Sequence, residues 1–358
     1  MYVDILEAFS NTYFEAREKF LAAAKQHNAE IKSIEHPERS PDGKPIFMDI
    51  AVLGPADAET GVMIISGTHG PEAYCGSAIQ LGLLGSPELM SRLSDKKLVF
   101  VHGHNPYGWT HIRRGDENNI DVNRNYCDFK KPYATNEKYK DVQDLLMPEK
   151  FDEAAEAAIF AWIEEHGQKA FATAAMVGQR IDPQGFFYGG HDPVWTHKAF
   201  RSNVVPLLED QKKVFLVDLH TGLGEYADGI ILHIYPKGSE KADLIDEWFE
   251  HKVDGGMDVV DDDVQYENSG SVVGAWDDFY PDHETYAMVV EYGTAPLPKI
   301  LIALMKDNWL HVKGDVNSEE GRAIKQELLD SLYPNNDHWK QGMWRHASWM
   351  LDRLTKAL

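Results

Sequence analysis

The stretch Val62-Met63-Ile64-Ile65-Ser66-Gly67-Thr68-His69-Gly70-Pro71-Glu72 decides how this chain is read. Its first four residues are a continuous apolar run of strand length, as a buried strand requires. The Gly/Pro-rich turn that follows carries a histidine and a glutamate three positions apart. An imidazole nitrogen and a carboxylate so placed offer two of the three protein ligands of a zinc site that keeps one position open. Further on, residues from about 72 to 85 read as a helix and Lys97–His102 as a second strand. Strand, helix and strand in that order predict a parallel crossover unit.

Outward from this unit the pattern is consistent. Residues 2–27 read as an amphipathic helix, with Ile5, Phe9, Tyr13, Phe14, Phe20 and Leu21 near helical spacing. Alternation at 31–34 and 46–53 flanks the turn Ser40-Pro41-Asp42-Gly43 and predicts a hairpin. Strand character returns at 214–217, 230–235 and 286–290, and the last sixty residues read as helical. Residues 128–196 combine a charged helical stretch (about 150–166) with Gln184-Gly185-Phe186-Phe187-Tyr188-Gly189-Gly190. They read as an insertion that walls a cleft, the aromatic run itself packing as core or lid. No internal repeat or low-complexity linker marks a boundary. The expectation is a single α/β domain over 1–358, with a mixed, largely parallel central sheet flanked by helices. The insertion lies at about 128–196 and a helical segment at about 296–358.

Composition narrows the partners. Of 358 residues, 35 are Lys or Arg and 58 Asp or Glu, a net charge of −23 that argues against nucleic acid or an anionic membrane as partner. Acidic runs such as Asp261-Asp262-Asp263 read as solvated surface, since the ligand spacing of an EF-hand loop is missing. No apolar stretch approaches the roughly 18 residues that read as a membrane span. The start of the chain lacks the basic, apolar and small-residue regions of a secretory signal. Two cysteines, Cys75 and Cys127, make no disulfide framework and read as buried small residues. A cytoplasmic location is therefore expected, and the oligomeric state stays open.

Three further segments carry chemistry. His220 closes the run Val214-Phe215-Leu216-Val217-Asp218-Leu219 and precedes Thr221-Gly222, where open α/β sheets place functional side chains at strand ends. With His69 and Glu72 it completes a three-ligand set. Glu291 closes Met288-Val289-Val290; an acid there is costly unless it is paired or functional. It reads as a general base, or else as a salt-bridged strand end. The segment Arg113-Arg114-Gly115-Asp116-Glu117-Asn118-Asn119-Ile120-Asp121-Val122-Asn123-Arg124-Asn125-Tyr126 puts planar cations in an acidic protein. A guanidinium can grip a carboxylate through two parallel hydrogen bonds.

On these residues the chain resembles the M14 zinc carboxypeptidases, including bacterial relatives and the aspartoacylase/succinylglutamate desuccinylase branch. The resemblance covers roughly residues 60–126 and 213–295. His69-Gly70-Pro71-Glu72 looks like the family's His-x-x-Glu metal pair and His220 like its distant third ligand. Asn105-Pro106-Tyr107-Gly108 resembles an Asn-Pro-Asp-Gly turn, with Tyr107 in place of the aspartate. Asp121-Val122-Asn123-Arg124-Asn125-Tyr126 is close to Asp-Leu-Asn-Arg-Asn-Phe.

The resemblance implies one zinc ion held by His69, Glu72 and His220, with Glu291 as the catalytic base. It implies Arg114, with Arg113 as fallback, polarising the scissile carbonyl. It gives Asn123 and Arg124 to the substrate carboxylate, Asp121 to orienting the first histidine, and Tyr266, in Tyr266-Glu267-Asn268-Ser269-Gly270-Ser271, to a mobile tyrosine over the substrate.

The expected activity is hydrolysis of an amide next to a free carboxylate in a small peptide. The long interval between Glu72 and His220 departs from typical carboxypeptidases and keeps an N-acyl amino-acid amidohydrolase open as the alternative. A non-catalytic binding module would lack a ligand or the base, and none is missing. His102, His104, His111 and His191 stay outside the expected metal site.

Overall fold

The computed structural model describes residues 4–131, 136–250, 253–254 and 270–358. Among these residues eight strands form one sheet: β1 (Glu30–Arg39), β2 (Pro45–Leu53), β3 (Thr60–Ser66), β4 (Lys97–His102), β5 (Lys213–Tyr226), β6 (Gly229–Leu232), β7 (Val253–Asp254) and β8 (Glu284–Gly293). Their order is β1-β2-β4-β3-β5-β8-β6-β7. The central β4, β3, β5 and β8 run parallel, while β1 and β2 pair antiparallel with each other, β2 with β4, and β6 with β8. The mixed, largely parallel sheet read from the sequence is what forms, and the predicted hairpin is β1–β2.

Period-two alternation in the strands feeds two cores. Ile64, Phe100, Phe215, Val217 and Met288 face the helices Tyr13–Gln26, Ala73–Leu84 and Asp337–Ala357. Met63, Ile65, Val99, Leu216 and Ala287 face the other layer, where Phe200, Leu208 and Trp276 close the core. The insertion folds as helices Glu153–His166 and Gln168–Met176, and packs with helices Leu297–Lys313 and Glu319–Leu332 in a third cluster.

Three local expectations are corrected. The helix expected over 2–27 is two helices, Ile5–Ala8 and Tyr13–Gln26, because Thr12 caps the second through a hydroxyl that accepts from the Glu15 amide. The strand expected over 230–235 ends at Leu232. The third concerns β5, which does not stop at His220: Thr221 pairs with Tyr292 and Gly222 with Gly293, so His220 and Glu291 lie within strands, directly opposite one another. No helix among the described residues is long and apolar enough to cross a membrane.

Candidate functional site

His69 and Glu72 leave the C-terminal end of β3 on a tight turn. Gly70 is required there, since a β-carbon would lie 2.0 Å from the Gly108 carbonyl. Its amide donates to the Arg113 carbonyl oxygen (3.0 Å), which ties the ligand turn to the arginine loop. Glu72 stands just before the helix Ala73–Leu84 with its carboxylate turned inward. His220 points from β5 toward the same place, and one ligand atom from each of the three residues lies within 4.8 Å of the others.

All three are buried, and the geometry is specific. Glu72 Oε1 lies 3.1 Å from His69 Nδ1, and Oε2 lies 2.9 Å from His220 Nδ1. The His69 Nδ1 atom is buried and makes no hydrogen bond of acceptable angle. Each histidine presents its other nitrogen to a carboxylate: His69 Nε2 lies 3.1 Å from Asp121 Oδ1, and His220 Nε2 lies 2.7 Å from Asp218 Oδ2. Carboxylates in that position fix the ring and leave Nδ1 for a ligand, as metal-binding histidines need.

Charge agrees with this donor set. Burial pushes the Glu72 and Asp121 carboxyls up, but the neighbouring His69 with His220, and Arg114 with His69, outweigh it and hold both ionised. Burial opposes charge on His220, yet Asp218 and Glu72 raise its pKa well above the usual imidazole value. Three buried carboxylates thus collect positive charge at the point where the ligand atoms converge. A divalent cation fits there and would displace that proton.

Asp218 went unread in the sequence, although a buried acid two positions before His220 on one strand face was the available signal. It begins a chain of hydrogen bonds through the core. An ionised carboxylate only accepts, so the Thr68 hydroxyl donates to Asp218 Oδ1 (2.8 Å). The Thr68 oxygen then accepts from His104 Nδ1 (3.0 Å). Burial lowers the His104 pKa to about 3, so the ring is neutral and its Nε2 accepts from the Tyr126 hydroxyl (2.6 Å). His104, left outside the expected metal site, thus reaches His220 through Thr68 and Asp218.

Glu291 and Arg114 line the same cavity of about 420 Å3 as His69, Glu72 and His220. Glu291 Oε2 accepts from the Leu223 amide (3.3 Å). Burial raises its pKa to about 7, with His220 pulling it down and Glu72 pushing it up. Arg114 Nε donates to Asp121 Oδ2 (2.9 Å), its Nη1 lies 3.5 Å from Glu72 Oε1, and its guanidinium covers the Phe187 ring at 4.3 Å. Arg113 points elsewhere, to Asn119 and toward Asp307.

Asn123 and Arg124 also reach the cavity wall. The Asn123 amide nitrogen lies 3.4 Å from both Asp218 Oδ2 and His220 Nε2, and its oxygen accepts from the Val272 amide. Arg124 donates to the carbonyl oxygens of Asn123 and Met176. Tyr266 and the run Asp261-Asp262-Asp263 lie outside the described residues. Cys75 is buried as expected, whereas Cys127 is only half-buried, its Sγ 3.0 Å from an Arg180 guanidinium nitrogen.

Fold and site together define an α/β protein with a buried His-Glu-His centre of the metal-binding kind at the C-terminal side of a parallel sheet. The chain belongs to the family described as Protein of unknown function (DUF2817), whose model matches residues 9–346. No curated protein matches it. Solved structures similar to it include a metallo-carboxypeptidase from Burkholderia cenocepacia, at 14% identity and TM-score 0.40, over 94% of this chain and 71% of that one. Carboxypeptidase A from Helicoverpa armigera matches at 13% identity and TM-score 0.43, over 90% and 74%. Murein-tripeptide amidase MpaA from Escherichia coli O157 matches at 19% and 0.38, over 84% and 91%.

Proposed function

We propose that this protein is a zinc-dependent amide hydrolase of the metallocarboxypeptidase type, cleaving an amide next to a free carboxylate. One observation carries the reading. His69, Glu72 and His220 converge within 4.8 Å, both histidines are backed by carboxylates, and Glu291 stands opposite His220 in register.

A zinc ion bound there supplies Lewis acidity, which makes a water nucleophilic near neutral pH and polarises a carbonyl. The chain's own residues do the rest. Glu291, with its pKa raised to about 7, takes a proton from the attacking water and returns it to the departing amine. Arg114 is fixed by Asp121 with one guanidinium edge toward the cavity, placed to stabilise negative charge on the carbonyl oxygen. Arg124 meets the substrate carboxylate, and Asn123 holds Asp218 and His220 in place beside it. One zinc ion per chain is the proposed complement.

Hydrolysis of N-acyl amino acids is the second reading, favoured by the insertion residues Met176 and Phe187 that line the cavity. The test is a panel of peptides and N-acyl amino acids assayed with zinc-loaded wild type and Glu291→Gln. The variant should keep its zinc and lose roughly 10²- to 10⁴-fold in kcat. A variant as fast as wild type on every cleaved substrate would overturn the assignment.

A further inference from the structure

One wall of the cavity is apolar, and the segments that build it supply no metal ligand. Ile300, Leu301 and Leu304 come from one face of the helix Leu297–Lys313, Leu332 from the end of the next helix, and Met176 and Phe187 from the insertion. The wall continues directly from the proposed base. A β-carbon built on Gly222, whose φ is +141°, would lie 3.6 Å from Leu332 Cδ2, 3.8 Å from Ile300 Cδ1 and 3.8 Å from Glu291 Oε2. Aliphatic carbons and the carboxylate thus front the same small space. The wall is firm, because Ile300, Leu301, Leu304 and Leu332 belong to the third core cluster, which also holds Phe171 and Phe186. A charged substrate group set against the aliphatic face formed by Ile300, Leu301, Leu304 and Leu332 would lose its water uncompensated by those side chains, whereas an apolar group would cover surface now facing the cavity.

We infer that the scissile amide carries a bulky apolar group seated on this wall, either an aliphatic or aromatic N-acyl group or the side chain of a hydrophobic residue. The inference rests on the hydrolase reading for the word amide and on the wall for the word apolar. The two parts fail separately.

Binding is measured first, by titrating the zinc-loaded protein with acetate, butyrate, hexanoate and octanoate, which needs no turnover. Affinity should rise roughly fourfold per methylene until the space is filled. Leu304→Trp, which fills the space, and Leu304→Gln, which makes the wall polar, should each weaken octanoate at least about tenfold. Acetate should be unaffected, and thermal melting identifies any variant that misfolds.

A flat chain-length series, or octanoate binding indifferent to both Leu304 variants, overturns the inference. Two substrate series then separate the sources: N-acyl glycines of growing acyl length, and N-acetyl dipeptides of growing side-chain size. A rise of kcat/KM in either supports the apolar substrate and names its source, and a rise in neither overturns it. If octanoate binds at the wall but no amide is cleaved, the hydrolase reading alone falls.

Discussion

The two histidines of the site are supported in opposite ways. His220 rests on Asp218, and behind it lie Thr68, His104 and Tyr126, all buried and all donating toward the carboxylate. His69 rests on Asp121, and behind that lies Arg114, which lines the cavity. One support is anchored in the core by largely neutral groups. The other ends on a cation that faces the cavity. Under the proposed function the contrast would separate two jobs, holding the ion and sensing the substrate, and it can be broken experimentally.

Removing either histidine tests what both sides share. His220→Ala or His69→Ala should reduce bound zinc from about one ion per chain to none, read by elemental analysis after dialysis. A variant retaining full zinc would show that the centre does not hold the ion. The contrast itself appears in the carboxylates. Asp218→Asn and Asp121→Asn should each weaken zinc about 10- to 100-fold in chelator competition. At saturating zinc, kcat should recover for Asp218→Asn but stay depressed for Asp121→Asn, because Arg114 has lost its anchor. Equal recovery would dissolve the distinction.

A smaller effect lies one bond further along the buried side. Thr68→Val removes the hydroxyl at nearly constant shape and should weaken zinc about tenfold, whereas Thr68→Ser should bind like wild type. If valine and serine behave alike, the chain beyond Asp218 does not act on the ligand.

A separate effect, read on stability and not on zinc, belongs to the arginine loop. Asp116 accepts from the amides of Asn118 and Ile120, but burial first, and the Glu117 charge second, raise its pKa from 3.8 to about 7. The folded chain therefore keeps a proton through this window that the unfolded chain has already lost. Stability falls as pH rises from about 4 to 7, and the penalty is complete above it. Asp116→Asn keeps the acceptor and should flatten this slope, stabilising the protein at pH 8 by on the order of 2 kcal/mol in denaturant titrations. An unchanged slope would show the group ionised throughout.

Much of this was legible in the sequence, for reasons that particular residues make clear. The apolar runs of β3, β5 and β8 are local signals, and so are the turns and acids beside them. His69, Glu72, His220 and Glu291 meet because parallel neighbours bring like positions together. Beyond Asp218, two positions before His220 on one strand face, tertiary hydrogen bonding left no local mark: Thr68, His104 and Tyr126 join that carboxylate only after the sheet closes, and nothing in their spacing foretells it. The strand-end reading of His220 missed because a glycine pair looks like a loop opening, whereas Thr221 and Gly222 go on pairing with β8. The opposite use of the two arginines, Arg114 inward to the cavity and Arg113 to Asp307, depends on a turn whose direction sequence does not encode.

The pairing of His220 with Glu291 has one more consequence. Adjacent strands sit about 4.8 Å apart wherever a ladder is intact, so the separation between the proposed metal ligand and the proposed base is inherited from the backbone. Side chains in the insertion and the C-terminal helices can then vary in size or polarity without moving the reacting groups. The sheet serves as a ruler, and substrate choice is left to parts of the chain that can change without recalibrating it.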